Sequence, residues 1–405
     1  MTDIAPLISN RHHNRVAAIH DDVTEWRRDL HTNPEIGFEE VRTAGIVAEK
    51  LHSFGVDEVI TGMATTGVVG IVHGRSPGPM IGLRADMDAL PMQEHNDLPY
   101  RSVVDGKMHA CGHDGHTAML LGTAKILAET RDFAGSVALI FQPAEEGGGG
   151  GRVMVEEGLF ERANCETVWG LHNWPEMPLG TFCPLAGPTM AGIDYFDITI
   201  RGQGTHAGMP HDGVDTVLAA AHLVTAIQSV PGRNVSPHET ATIGVSMFKG
   251  SDAYVVMPDE AVIGGSVRYF DAAVRDLAEE RIRSLADGIA RGFGAEAVID
   301  YRKNYPPAIN PAAEAEVAAG IAAGLVGAEH VIREHEPCMA GEDFSFMLNE
   351  RPGNYIWMGS ASPDHASGKL HYPDYNFNDA AIPYGIGYWL ALVDTLIPAE
   401  QRDVA

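Results

Sequence analysis

Ser136-Val137-Ala138-Leu139-Ile140-Phe141-Gln142-Pro143-Ala144-Glu145-Glu146 is an apolar run that ends in two adjacent carboxylates. A run of this length without alternation reads as a strand buried on both faces, as in sheets covered by helices. Three more such runs flank it: Gly67–Val72, Met80–Arg84 and Thr167–Leu171. Polar residues close the last two, Asp86 and Asp88 after one and His172 after the other. Helical periodicity over Thr117–Ala128, with Met119, Leu120, Ala124 and Leu127 on one side, supplies the intervening helix. Alternating strands and helices predict an α/β fold, with functional groups at the carboxyl ends of buried strands.

Texture changes near Gly192. Tyr195–Ile200 alternates with period two, so one face is buried and one wet. A helix over 214–229, strands near Ala241–Phe248 and Ala261–Tyr269, a polar helix over Ala273–Phe293 and a strand at Ala297–Tyr301 follow. That β-α-β-β-α-β order matches a ferredoxin-like module. Asn304-Tyr305-Pro306-Pro307 reads as a hinge, and a closing helix covers Ala381–Leu396. The expected organisation is a mixed-sheet domain of residues 1–190 plus 305–405, interrupted by a module of residues 191–304.

The chain has 405 residues, 45% of them apolar, enough for two cores. Its net charge of −27 argues against nucleic acid or an anionic membrane as partner, since both are bound through Lys and Arg. Apolar runs stay well short of the ~20 residues of a membrane helix. Arg11, His12, His13 and Arg15 stand near the start, without an apolar stretch of signal-peptide type. Cys111, Cys165, Cys183 and Cys338 are too scattered for a disulfide framework. These features predict a cytoplasmic protein.

The densest chemistry is His109-Ala110-Cys111-Gly112-His113-Asp114-Gly115-His116. Thiolate, imidazole and carboxylate together are the ligand set of Zn²⁺ and its first-row neighbours. Cys111 and His113, two apart, point to one side if the loop is extended. His109 and His116 are open between ligand and supporting roles, and Asp114 suits the orientation of an imidazole. Glu145 and Glu146, adjacent after an extended strand, face opposite ways, so one could bind a cation while the other faces substrate. The five glycines after them allow close backbone approach. His172 ends a strand, and His371 lies in a Gly- and Pro-punctuated loop, where binding residues concentrate. His206 reads as a glycine-flanked surface histidine and Arg268 as a surface cation. A metal-activated water with a carboxylate beside it is hydrolytic machinery.

Ordered motifs over nearly the whole chain resemble the metallopeptidase family of aminoacylase-1, carboxypeptidase G2 and the dipeptide hydrolases. The nearest branch is that of hippurate hydrolases, N-acyl-amino-acid amidohydrolases and plant auxin-conjugate hydrolases. The motifs begin with Trp26–His31 and Asn33-Pro34-Glu35, then Arg84–Pro91, the Cys/His segment, Glu145-Glu146 and Leu171-His172-Asn173. Thr205-His206-Ala207, Gly341–Phe344, His371 and Tyr375–Asp379 complete them.

The resemblance implies two divalent metal ions per subunit, Zn or Mn first, with Co or Ni as alternatives. It implies Cys111, His113, Glu146, His172 and His371 as ligands and Glu145 as general base. His206 would serve the partner subunit's oxyanion, Arg268 would receive a substrate carboxylate, and the inserted module would be a lid through which a homodimer forms. The implied reaction is amide hydrolysis of an N-acyl amino acid. A dipeptidase or carboxypeptidase of the same mechanism, or a hydrolytic deaminase, is the alternative. One departure is Val255, where relatives carry an Asn able to hydrogen-bond substrate; Val cannot.

Overall fold

The computed structural model describes residues 11–365 and 367–399, so the first ten and last six residues of the expected catalytic domain lie outside the described residues. The chain forms two compact units. One comprises the chain up to Gly187, Ile309–Glu336 and the chain from Asp343 onward; the other comprises Pro188–Ala308 and Pro337–Glu342.

The first unit is α/β with a seven-stranded mixed sheet. Its strands are β1 (Glu58–Met63), β2 (Gly67–His73), β3 (Ser76–Asp86), β4 (Ala134–Gln142), β5 (Thr167–Pro178), β6 (Phe182–Cys183) and a last strand, Gly353–Ala361. Their order is β1-β2-β4-β3-β5, then Gly353–Ala361, then β6. The pairs β3–β4, β3–β5 and β5 with Gly353–Ala361 are parallel, while β1–β2 and β2–β4 are antiparallel. The central strands are buried almost throughout, which is why their sequences run apolar without alternation. β5 continues to Pro178, so His172 and Asn173 lie within a strand and not after it.

Helices α1 (His13–Thr32), α2 (Val41–Phe54) and α3 (His113–Thr130) pack against one another, with the closing helix Ile382–Leu396 beside α1 and α3. α3 begins four residues earlier than its apolar periodicity predicts. The Gly-His-Asp-Gly-His segment is therefore not a loop ahead of the helix: His113 to His116 form its first turn. Gly112 (φ +95°) turns the chain into it, and a Cβ there would meet the Asn173 amide at 2.2 Å.

The second unit carries a four-stranded antiparallel sheet in the order Ala241–Lys249, Glu260–Tyr269, Gly192–Arg201, Glu296–Tyr305. Helices Thr216–Ile227 and Ala272–Gly292 pack against it through Ala219, Leu223, Ile227, Ala278 and Ile282. This is the ferredoxin-like arrangement. Among the described residues no helix is long and apolar enough to cross a membrane.

A buried ionic cluster ties α1 to α3. Arg27 pairs with Asp379 at 2.7 Å, with no exposed guanidinium surface. His31 sits between two carboxylates, with Nδ1 2.9 Å from Asp114 and Nε2 3.2 Å from Glu94. Burial alone would lower its pKa, but these two hydrogen bonds outweigh it and raise it to about 9. Burial would raise the carboxyls of Asp114 and Glu94, yet His31 holds both below the usual range.

A histidine whose pKa is raised on folding stabilises fully below its unfolded value, and that contribution is lost as pH climbs through the folded value. His31→Gln is therefore expected to lose up to about 3 kcal/mol near pH 6 and progressively less towards pH 9.5. Urea unfolding of both proteins across this range checks it. A wild-type-minus-variant gap that does not shrink with pH would show that His31 is neutral in the fold.

Candidate metal centre

At the carboxyl ends of the central strands the first unit brings six side chains together. Ligating atoms of Cys111, His113 and His172 lie within 4.8 Å of one another, as do those of Cys111, Glu146 and His371, and those of His113, Glu145 and Glu146. Cys111, His113 and Glu146 each belong to two of these groups, so two adjacent cation positions could share ligands. The Cys111 Sγ stands 3.4 Å from His172 Nε2, and His371 Nε2 stands 3.1 Å from Glu146 Oε1.

The tautomers suit metal binding. His113 Nδ1 donates to the Asp88 backbone carbonyl at 2.9 Å and lies 3.2 Å from its carboxylate. That leaves Nε2, buried beside Cys111, as the nitrogen that could face a cation once its proton is displaced. His172 Nδ1 donates to the Asn173 carbonyl at 2.7 Å, leaving its Nε2 lone pair facing Cys111. Imidazoles anchored through one nitrogen and open at the other are the state in which histidine binds a cation.

Without a cation, protons fill most of this cluster. Burial and the nearby His116 push the pKa of His172 well down, so this imidazole is neutral. Burial would also lower His113, but the Asp86 charge and Cys111 outweigh it. Burial, reinforced by Glu146, raises the Cys111 thiol. Hydrogen bonds to Cys111 and Glu146 raise His371 to about 10. Without a cation these groups bind one another through protons, so metal entry must displace protons.

The two glutamates do not sit on an extended strand end. β4 stops at Gln142, and Glu145 and Glu146 occupy a turn closed by the Gly147 N–H donating to the Glu145 carbonyl at 2.7 Å. Glu145 is buried and Glu146 half-buried. Asp88 accepts the Glu146 N–H at 2.8 Å, so one aspartate touches both His113 and the glutamate turn. His371 is in the left-handed region (φ +63°), and its N–H donates to the Ala110 carbonyl at 2.8 Å.

The structure separates the residues that were open in the sequence. His116 has both nitrogens engaged: Nδ1 lies 2.6 Å from Asp86, and Nε2 accepts the Asn173 N–H at 2.9 Å. It thus braces the strand that carries His172. His109 is buried with neither nitrogen hydrogen-bonded, and burial pushes it to about 4. Asp114 does orient an imidazole, but that of His31. His206 and Arg268 belong to the second unit. His206 is exposed, and its Nδ1 accepts the Gly208 N–H at 3.0 Å, while Arg268 donates to the Met339 carbonyl at 3.0 Å. The Val255 side chain is exposed, and its carbonyl accepts the Ala207 N–H at 3.0 Å.

Asn173 and Tyr375, which no ligand chemistry singles out in the sequence, brace the cysteine. Asn173 donates to the Cys111 carbonyl at 2.7 Å and accepts from the Tyr375 hydroxyl at 2.7 Å.

Comparison with known proteins agrees with this geometry. Residues 82–395 match Peptidase family M20/M25/M40. The chain is 37% identical to an N-acetylcysteine deacetylase of Bacillus subtilis, over 93% of this chain and 97% of that protein. It is 39% identical to a hippurate hydrolase of Campylobacter jejuni, over 90% and 94%. A Bacillus subtilis crystal structure described as a dinuclear metal binding peptidase from the M20 family superposes with a TM-score of 0.79. It shares 34% identity and covers 93% of this chain and 98% of that one. With its Cys/His/Glu cluster in the first unit, the chain belongs to Peptidase family M20/M25/M40.

Proposed function

We propose that this protein is a metal-dependent amidohydrolase that cleaves the amide bond of an N-acyl amino acid. The observation that carries the reading is the pair of ligand groups joined at Cys111, with Glu145 beside them. The deacetylase and hippurate hydrolase activities named for its relatives support it. Cys111, His113 and His172, together with Glu146 and His371, would hold two divalent ions, Zn or Mn first, with Co or Ni as alternatives. When bound, such a pair supplies Lewis acidity, bringing the pKa of water down to about 7 and polarising the amide carbonyl.

Glu145 accepts the proton of the attacking water and returns it to the leaving amine, so one carboxylate serves both halves of the reaction. Asp88 holds His113 and the backbone of Glu146 in place while this happens. His206 supplies a hydrogen bond to the developing oxyanion. Its Nδ1 accepts from Gly208, which leaves the proton on Nε2, the donor such a role requires. We assign that donor to the active site of a partner subunit in a homodimer formed through the second unit, residues 191–304 serving as lid. Arg268 receives the substrate carboxylate. A cytoplasmic location suits a free, buried Cys111 thiol.

The deciding experiment is a screen of N-acyl amino acids and dipeptides on metal-reconstituted protein. Carboxylic acid and free amino acid are expected in equal amounts from N-acyl substrates. Ammonia released without acid, or turnover of dipeptides alone, would overturn the assignment.

Glu145→Ala is expected to keep its metal and lose turnover by roughly 10²–10⁴-fold, whereas Glu146→Ala loses metal as well. Metal analysis beside kinetics distinguishes the two, and the opposite pattern exchanges their roles. Cys111 should resist alkylation with metal present and label rapidly after chelation. Equal labelling in both states removes it from the ligand set.

Mixing the inactive variants Glu145→Ala and His206→Ala, with subunit exchange, should restore activity, since each mixed dimer contains one complete site. Verified heterodimers that stay inactive would show that His206 does not act across subunits.

A further inference from the structure

The turn that carries Glu145 and Glu146 is anchored by a residue the mechanism above leaves unused. Glu40, fully buried just ahead of α2, accepts the Ala144 N–H through one carboxylate oxygen at 2.8 Å. Its other oxygen accepts the Thr66 hydroxyl at 2.7 Å. Ala144 is buried and has φ +52°, the left-handed region that a side chain with a Cβ enters only under strain. It is followed at once by Glu145, and it is the point at which the chain leaves β4 for the turn.

The surroundings leave this alanine little choice of position. A Cβ at Gly148 would come within 2.7 Å of the Ala144 Cβ, and one at Gly37 within 3.0 Å. Gly37 lies on the segment that leads to Glu40, so that segment and the turn are packed face to face. Three buried or half-buried amides around the turn each find a carboxylate: Ala144 finds Glu40, Glu146 finds Asp88 and Gly151 finds Asp343. Asp88 also holds His113, and Asp343 also meets Arg84 and Gln142. Glu40 differs, because its carboxylate meets the strained residue and one hydroxyl.

A carboxylate is a costly choice for a purely structural contact. Burial opposes its charge and pushes Glu40 to about 7. A charged acceptor does, however, make the stronger and shorter hydrogen bond, which suits the retention of a strained backbone.

We propose that Glu40 is a positioning residue that holds Ala144 in the left-handed conformation and thereby sets the directions of Glu145 and Glu146. The inference rests on the reading of Glu145 as base and Glu146 as ligand. Glu40 touches neither water nor substrate in this scheme; it acts through the backbone of the turn.

The test uses full-length Glu40→Ala, Glu40→Gln, Ala144→Gly and the double variant Glu40→Ala/Ala144→Gly. Zn²⁺ or Mn²⁺ is titrated calorimetrically into each metal-free protein, and kcat and KM are measured after loading. Glu40→Ala is expected to weaken metal binding by about 10–100-fold and to lower kcat by a similar factor, with KM little changed. Glu40→Gln should recover most of both, because its amide oxygen can accept from Ala144 while its NH₂ donates to the Thr66 oxygen. Ala144→Gly alone should stay within about threefold of wild type, and it should rescue Glu40→Ala, since glycine adopts positive φ without a Cβ to strain.

That rescue separates positioning from general support of the fold, which a second glycine would only weaken. Unchanged metal affinity in Glu40→Ala overturns the inference, as does a double variant no better than Glu40→Ala. Should Glu40→Ala fail to fold, Glu40→Gln and Ala144→Gly still decide: a Gln variant with metal affinity lowered tenfold or more refutes the acceptor role. Because the titration needs no substrate, a wild type that binds two ions but hydrolyses no N-acyl amino acid would sink the proposed activity and leave this inference standing.

Discussion

A histidine binds a cation only through a nitrogen that carries no proton, and the partner of its other nitrogen decides which one that is. In this protein Asp88 orients His113, its backbone carbonyl accepting a hydrogen bond from Nδ1–H while its carboxylate accepts the Glu146 N–H. One residue just past β3 therefore orients an imidazole on α3 and anchors the turn after β4. His172 achieves the same state differently, through the carbonyl of its own neighbour Asn173. Both solutions rely on backbone carbonyls, which do not titrate.

Behind this layer lies a second one built on Arg84. Its guanidinium is buried and is met by Asp86 at 2.6 Å, Asp343 at 3.1 Å and Gln142 at 2.8 Å. Removing one member of such a group leaves uncompensated buried charge, typically at a cost of about 3–5 kcal/mol. Asp86 passes the constraint on to His116, His116 to the Asn173 backbone, and Asn173 to the Cys111 carbonyl. The chain of contacts runs from β3 through α3 and β5 to the cysteine. The arrangement of the cluster is thus a property of the sheet and not of the loops alone.

The legible parts of the sequence were those where one physical cause dominates. Gly67–Val72 and Ser136–Phe141 are buried on both faces and read as strands, and period-two alternation exposed the Gly192–Arg201 strand. The start of α3 was misplaced because His113, Asp114 and His116 are buried polar residues, so the apolar periodicity begins only after them. Gly353–Ala361 is hard to read because glycine, asparagine and serine interrupt its apolar run, although all but its last residue are buried. Glu40 was invisible for another reason: next to Glu39 in a polar stretch it reads as solvated, and only the fold reveals its burial. Cys111 and His113 converge as expected, but across a left-handed glycine and a helix start, not along an extended loop.

The position of Gly353–Ala361 between β5 and β6 bears on how the protein is made. During synthesis β5 emerges long before its parallel neighbour, so one edge of a long apolar strand stays unpaired until almost the whole chain has left the ribosome. An open edge of that kind is a template for pairing with other chains. Chains cut short before Gly353 would keep that edge exposed and would lack His371 as well. Pairing of that β5 edge therefore has to wait for the synthesis of Gly353–Ala361.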